Sequence, residues 1–245
     1  MDLVTILCIV GMVVGLVGMI VCGKMQRANP AMQPISIGLF VVVLICGFFV
    51  VRNMVGGGSG SGIIENEKTY YRSRGYTIAK ELTKKNITGK VLVLVDPSYE
   101  QDLFSKALVE EMGKGLKCTI VTGFADVPDN LVETGRSYLE VATAKKLDAV
   151  VARETPDAVV VLTGLPADAR NMTIFKKGTE KPVVLVSLGS ANRNFVKAKL
   201  KSGNIIAIIE GKRGPGSEVS APRDLEEAFK LRNELYTQEK AEEFK

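Results

Sequence analysis

Five short, mainly apolar runs between positions 90 and 209 constrain the fold of this chain more than any other feature. They cover 90–95, 117–122, 158–163, 182–187 and 204–209. The runs are rich in Val, Ile and Leu and do not alternate with polar residues, which is typical of strands buried on both faces of a parallel sheet. Helical patterns separate them. The segment therefore predicts an α/β domain with a doubly wound sheet.

The predicted sheet has about five parallel strands in the order 2-1-3-4-5. At the level of architecture, 90–210 resembles a flavodoxin-like domain, or one lobe of a type 1 periplasmic binding protein, although no residue motif of either group is matched. We expect the domain to cover 63–221 and to begin with a helix. A charged, amphipathic helix is predicted for 222–245.

Two apolar stretches precede this domain. Residues 3–22 and 35–51 contain no charged side chain, and each is long enough for a helix that crosses the hydrocarbon core of a bilayer, about 30 Å. The sequence thus predicts a transmembrane hairpin over 1–55. Gly11, Gly15 and Gly18 share one face of its first helix, which indicates either self-association in the bilayer or packing against the second helix.

The distribution of charge suggests an orientation for this hairpin. Lys24 and Arg27 lie in the short connection, so we expect it in the cytoplasm and the α/β domain on the extracytoplasmic, periplasmic side of a two-pass integral membrane protein. Residues 56–62, GGGSGSG, are predicted to be a flexible linker.

Composition excludes several kinds of chemistry. The chain has no histidine, so an imidazole base, a His-ligated zinc and a Ser/His/Asp triad are ruled out. A net charge of +5 without a clustered basic stretch does not predict a nucleic-acid partner. The residues DPSYEQ replace the glycine-rich turn of a dinucleotide site. We therefore predict no metal site and no cofactor, and FMN has no specific support.

Polar residues follow the predicted strands at the edge where a doubly wound sheet binds its ligands. The candidate ligand-binding residues are Asp96, Ser98, Tyr99, Thr163, Gly164, Ser187, Ser190 and Glu210. Carboxylate and hydroxyl groups there are suited to hydrogen bonds with a polar ligand, and Tyr99 is suited to stacking on a ring. The alternative is that these residues only end strands, cap helices and form turns.

These patterns favour a non-catalytic, membrane-anchored protein whose α/β domain binds a partner protein or a small polar ligand. The bilayer, a second copy of the chain or another membrane protein are the expected partners. One alternative is a membrane-tethered hydrolase or flavoprotein that uses Asp96, Tyr99 and Glu210. Another is a purely structural subunit of a membrane assembly.

Overall fold

The chain forms two compact units in the computed structural model. They comprise Met1–Glu65 and Asn66–Lys245. The structure describes residues 3–25, 32–51, 59–127, 137–212, 214 and 219–244. Residues 56–58 of the predicted linker lie outside this part of the chain. Residues 59–62, which were assigned to the same linker, form the first turn of a helix.

The first unit is built from two helices that pack against each other, α1 (Leu3–Met25) and α2 (Met32–Val51). The glycine face of α1 lies against α2. A Cβ added to Gly15 would lie 2.6 Å from Val43 Cγ2, and one added to Gly18 would lie 2.9 Å from Leu39 Cδ1. Gly11 faces Cys46 in the same way. Of the two alternatives for these glycines, packing between the two helices is the arrangement seen.

The predicted transmembrane hairpin is not supported. No helix in the part of the chain whose side chains are described offers 18 residues that are apolar enough to cross a membrane. On this finding, the predicted two-pass membrane localisation and the extracytoplasmic placement of the α/β domain are corrected.

The second unit is organised around one six-stranded sheet. Its strands are β1 (Lys90–Leu94), β2 (Thr119–Gly123), β3 (Ala158–Val161), β4 (Val183–Leu185), β5 (Ile205–Gly211) and β6 (Asn233–Tyr236). The order across the sheet is β2-β1-β3-β4-β5-β6. The first five strands are parallel, and β6 pairs with β5 in the antiparallel direction. The predicted α/β class and the order of five strands are confirmed.

Helices cover both faces of this sheet. They are α3 (Ser59–Lys84), α4 (Leu103–Gly115), α5 (Tyr138–Val141), α6 (Ala144–Glu154), α7 (Arg193–Lys201) and α8 (Leu225–Arg232). Short 3₁₀ turns lie at Tyr99–Gln101, Ala169–Asn171, Thr173–Phe175 and Gln238–Lys240. On one face, α3 and α4 pack against Val91 and Val93. On the other, α6 and α7 pack against Leu92 and Leu94. Successive side chains of β1 therefore lie in cores on opposite faces of the sheet. This explains why the strand is apolar at every position and does not alternate with polar residues.

The C-terminal segment differs from the single helix predicted for 222–245. The helix ends at Arg232, and the next four residues add an edge strand to the sheet, with Leu235 opposite Ile209. The contacts that this strand makes on both faces of the sheet explain the difference. Asn233 is 2% exposed, Leu235 packs on the core beneath α3, and Tyr236 packs on Phe244 at the opposite face. Pairing with β5 therefore outweighs the helical pattern of the charged residues.

Candidate functional site

A cavity of about 290 Å³ lies at the carboxyl edge of the sheet. It is located where the strand order reverses between β1 and β3, which is the expected ligand position in a doubly wound fold. Residues that follow β1, β3 and β4 form one side, and residues of α3 and α4 form the other. The lining residues are Tyr71, Arg74, Val95, Asp96, Tyr99, Asp102, Ser105, Leu108, Leu162, Thr163, Val186 and Ser187.

Half of the candidate residues meet at this cavity. Asp96 and Tyr99 follow β1, Thr163 follows β3, and Ser187 follows β4. They are far apart in the sequence and close together here because parallel strands end at one edge of the sheet. These four side chains bring one carboxylate, one phenol and two aliphatic hydroxyl groups to the wall of the cavity.

A tight turn orients the Asp96 side chain. Its Oδ1 atom accepts hydrogen bonds from the backbone N–H of Ser98 at 2.8 Å and from the Ser98 hydroxyl at 2.6 Å. This is the arrangement of an Asx turn. Ser98 thus supports the carboxylate and does not line the cavity. No hydrogen bond to Asp96 Oδ2 comes from the described residues, so this oxygen is available to a ligand.

Gly164 and Ser190 shape the rim of the site without lining it. Gly164 has a φ of +91°, and a Cβ there would lie 2.5 Å from the backbone nitrogen of Gly189. Leu165 and Gly189 form a parallel bridge between the two loops, and Ser190 donates its N–H to the Leu165 carbonyl at 2.9 Å. These contacts join the loops that present Thr163 and Ser187.

Glu210 is not part of the cavity. Its Oε1 atom lies 2.6 Å from Nη2 of Arg193, the first residue of α7, in an ion pair. Since Asp96 pairs with Ser98 and lines the cavity at β1, the two carboxylates do not form a catalytic pair. The structure therefore does not bring Glu210 together with the candidate residues that line the cavity.

Among the lining residues that were missed are the two that α3 supplies, Tyr71 and Arg74. Arg74 donates from Nε to Asn233 Oδ1 at 2.7 Å, and its guanidinium lies 4.8 Å from the centre of the Tyr71 ring. A signal for Arg74 exists in the sequence. It stands four and eight residues before Ile78 and Leu82, which are fully buried, so it shares their helical face.

The remaining polar wall is structural. Asp102 caps α4, since its Oδ1 accepts the N–H of Phe104 at 2.9 Å, and its Oδ2 accepts the Ser105 hydroxyl at 2.5 Å. Both oxygens are therefore engaged. Asp102 adds negative potential to the cavity but has little capacity to contact a ligand directly.

The protonation of Tyr99 suits hydrogen bonding. Burial raises the pKa of its phenol above the ordinary value, and the nearby carboxylates of Glu100, Glu110 and Asp102 raise it further. The hydroxyl therefore stays protonated at neutral pH and can donate a proton in a hydrogen bond. In the part of the chain that the structure describes, no group of three or more His, Cys, Asp or Glu side chains is arranged to hold a metal ion.

Comparisons with known proteins do not place this chain in a family. No protein-family model matches it, and no curated protein matches it at a significant level. A solved structure described as the XylFII-LytSN complex is similar in fold, with a TM-score of 0.44 and 13% sequence identity over 69% of this chain. This chain spans 60% of the length of that chain. A similarity of this size carries no argument about ligands or partners.

Proposed function

We propose that this protein binds a small polyhydroxylated molecule, such as a monosaccharide or a polyol, in the cavity at the carboxyl edge of its sheet. The observation that carries the proposal is the convergence of Asp96, Tyr99, Thr163 and Ser187 from three strands on one cavity at the β1/β3 switch point. Four such groups from separate segments fix the orientation of a ligand rich in hydroxyl groups better than that of an apolar one.

The size of the cavity limits the ligand. At about 290 Å³ it lies near the lower end of the range of roughly 300–1,000 Å³ that small-molecule sites occupy. Tyr99 supplies an aromatic ring, and the leucine and valine side chains of the wall supply apolar contact. A single sugar ring or a short polyol matches this combination of flat apolar surface and a polar wall.

Binding without catalysis is favoured by the arrangement of the acidic groups. Asp96 offers one free carboxylate oxygen, whereas both oxygens of Asp102 are used to cap α4. Glu210 is committed to Arg193. A glycosidase needs two carboxyl groups that face each other across the scissile bond, and the cavity wall does not supply such a pair.

Thermal unfolding with a panel of monosaccharides and polyols tests this proposal. A ligand at about 100 times its Kd stabilises the folded state by about 2.7 kcal/mol, which corresponds to a rise in Tm of about 5–10 °C for a unit of this size. The Asp96→Asn variant removes a charge-assisted hydrogen bond worth about 1.5–3 kcal/mol, so the affinity falls by about 10- to 100-fold.

The Glu210→Gln variant is the matched control, because it removes a carboxylate at the same sheet edge but outside the cavity. We expect it to bind as the wild type does. The proposal is refuted if no compound of the panel raises the Tm, or if the two variants respond to the ligand equally.

A further inference from the structure

A second cavity, of about 430 Å³, lies between α3, α8 and β6. We refer to it as the lysine groove, because five lysines and three glutamates stand among its lining residues. It is separate from the cavity at the carboxyl edge and shares no lining residue with it. Its lining carries more positive than negative side chains.

The glutamates of the groove neutralise only part of this charge. Glu226 lies 3.2 Å from Lys80 Nζ and 3.1 Å from Lys230 Nζ, and Glu81 lies 2.6 Å from Lys84 Nζ. The pKa of the Glu226 carboxyl is lowered, mainly by its hydrogen bonds to these two lysines, so it stays ionised and engaged. Three of the five lysines are thus committed to partners.

Lys212 and Lys240 are the remaining two lysines. Neither ammonium group has an ion pair or a hydrogen bond with any side chain among the described residues. The one remaining glutamate of the lining, Glu234, accepts the hydroxyl proton of Tyr236 at 2.9 Å. Within the described part of the chain, these two ammonium groups therefore have no ion-pair partner, and the five lysines of the lining outnumber its three glutamates by two.

These two charges lie toward opposite ends of the groove. Lys212 directly follows β5, next to the Gly211–Asn233 pair, whereas Lys240 lies in the 3₁₀ turn beyond the far end of β6. At about 3.4 Å per residue, the four residues of β6 alone span roughly 13 Å. The two lysines therefore start from well-separated backbone positions, and an elongated molecule with two anionic groups matches this separation better than a single phosphate group does.

A buried amide lies in the wall of the same groove. Asn233 is 2% exposed, and its Nδ2 has no hydrogen-bond partner within the described structure. Its Oδ1 accepts from Arg74 Nε, so the orientation of the amide is fixed with the nitrogen as the unused donor. A buried donor without a partner costs about 1–3 kcal/mol. An acceptor atom that enters the groove and reaches this donor would remove that cost.

We infer that the lysine groove binds a small, elongated molecule with two anionic groups, phosphate or carboxylate, one held by Lys212 and the other by Lys240. Phe229 and Leu235, which also line the groove, contact the middle of such a molecule. The groove is distinct from the proposed sugar or polyol site, and the inference does not depend on it.

Isothermal titration of the full-length chain with tripolyphosphate at low ionic strength tests this inference. We expect one site per chain, and about tenfold weaker binding for either Lys212→Gln or Lys240→Gln. Inorganic phosphate, which offers a single anionic group, should bind at least tenfold more weakly than tripolyphosphate.

Lys145→Gln is the matched control. Lys145 is an exposed lysine on α6, a helix that packs on the opposite face of the sheet, so its removal changes the net charge by the same amount. This variant and Asp96→Asn should bind tripolyphosphate as the wild type does. Absence of binding to the wild type overturns the inference, and so does an equal loss in the Lys145, Lys212 and Lys240 variants, because that outcome indicates attraction by net charge alone.

Discussion

Substitution of Gly75 by alanine should destabilise the α/β unit, because α3 and α4 touch backbone to backbone at this residue. A Cβ added to Gly75 would overlap the Leu108 carbonyl oxygen and would lie 3.0 Å from its carbon and 3.1 Å from the Met112 nitrogen. These are backbone atoms of α4, so no side-chain rotation relieves the overlap. The two helices have to separate.

The magnitude follows from two opposing effects. Overpacking in a close-packed core costs about 1–3 kcal/mol, and the upper half applies here because Ile78, Leu108 and Met112 around the contact are at most 1% exposed. Alanine returns up to about 1 kcal/mol through its higher helix propensity. The net loss is about 1–2 kcal/mol, which lowers the Tm by about 2–8 °C.

Denaturant unfolding followed by far-ultraviolet circular dichroism measures this loss, with Gly113→Ala as the control. Gly113 lies in α4, where a Cβ meets only Ile120 Cδ1, at 3.5 Å, which is an ordinary contact. At this position the higher helix propensity of alanine should outweigh any steric cost, so the variant should be as stable as the wild type or up to about 1 kcal/mol more stable. If Gly75→Ala is as stable as Gly113→Ala, the inference that the backbones of α3 and α4 are in contact at Gly75 is wrong.

Three further predictions concern other parts of the α/β unit. Asn204→Ala should cost about 1–3 kcal/mol in denaturant unfolding, because the buried amide donates to the backbone carbonyls of Ile174 and Lys181 and the Lys181 carbonyl loses this partner; an unchanged midpoint would contradict this. Gly164→Ala should cost at least about 2 kcal/mol and loosen the contact with Gly189, since it combines a positive φ with a clash; a stable variant would show that the two loops are not in contact. The pKa of Tyr236 is raised to about 12 by burial and by its hydrogen bond to Glu234, so stability that is present below pH 10 should be lost as the pH rises toward 12. Absorbance titration of phenolate should show this late ionisation in the wild type and not in Tyr236→Phe.

The parallel sheet could be predicted because its strands are buried on both faces. Residues 91–94 enter two different cores, so each of them has to be apolar, and that requirement is visible in the sequence alone. Strand β6 could not be found in this way. Only Asn233 of its four residues is buried, and the sequence of the other three is compatible with a charged helix. Their pairing with β5, in which Leu235 lies opposite Ile209, is visible only in the folded structure.

Only those residues of the candidate site that directly follow a strand could be predicted from the sequence. Asp96 and Thr163 were identified because parallel strands converge at one edge of the sheet. Arg74 was missed because its position depends on how α3 docks and on the bond to Asn233, 159 residues away. Glu210 follows a strand of the same sheet edge but lies outside the cavity, and nothing in the sequence shows that it pairs with Arg193.

Hydrogen–deuterium exchange of the full-length chain tests the central claim most directly, when it is carried out with the monosaccharide or polyol that raises the Tm most. Binding at the carboxyl-edge cavity should slow exchange of the amides at 96–102 and 163–165, and the Asp96→Asn variant should show less protection at the same ligand concentration. Protection confined to other segments, or equal protection in the wild type and the variant, would contradict the assignment of the ligand site to this cavity.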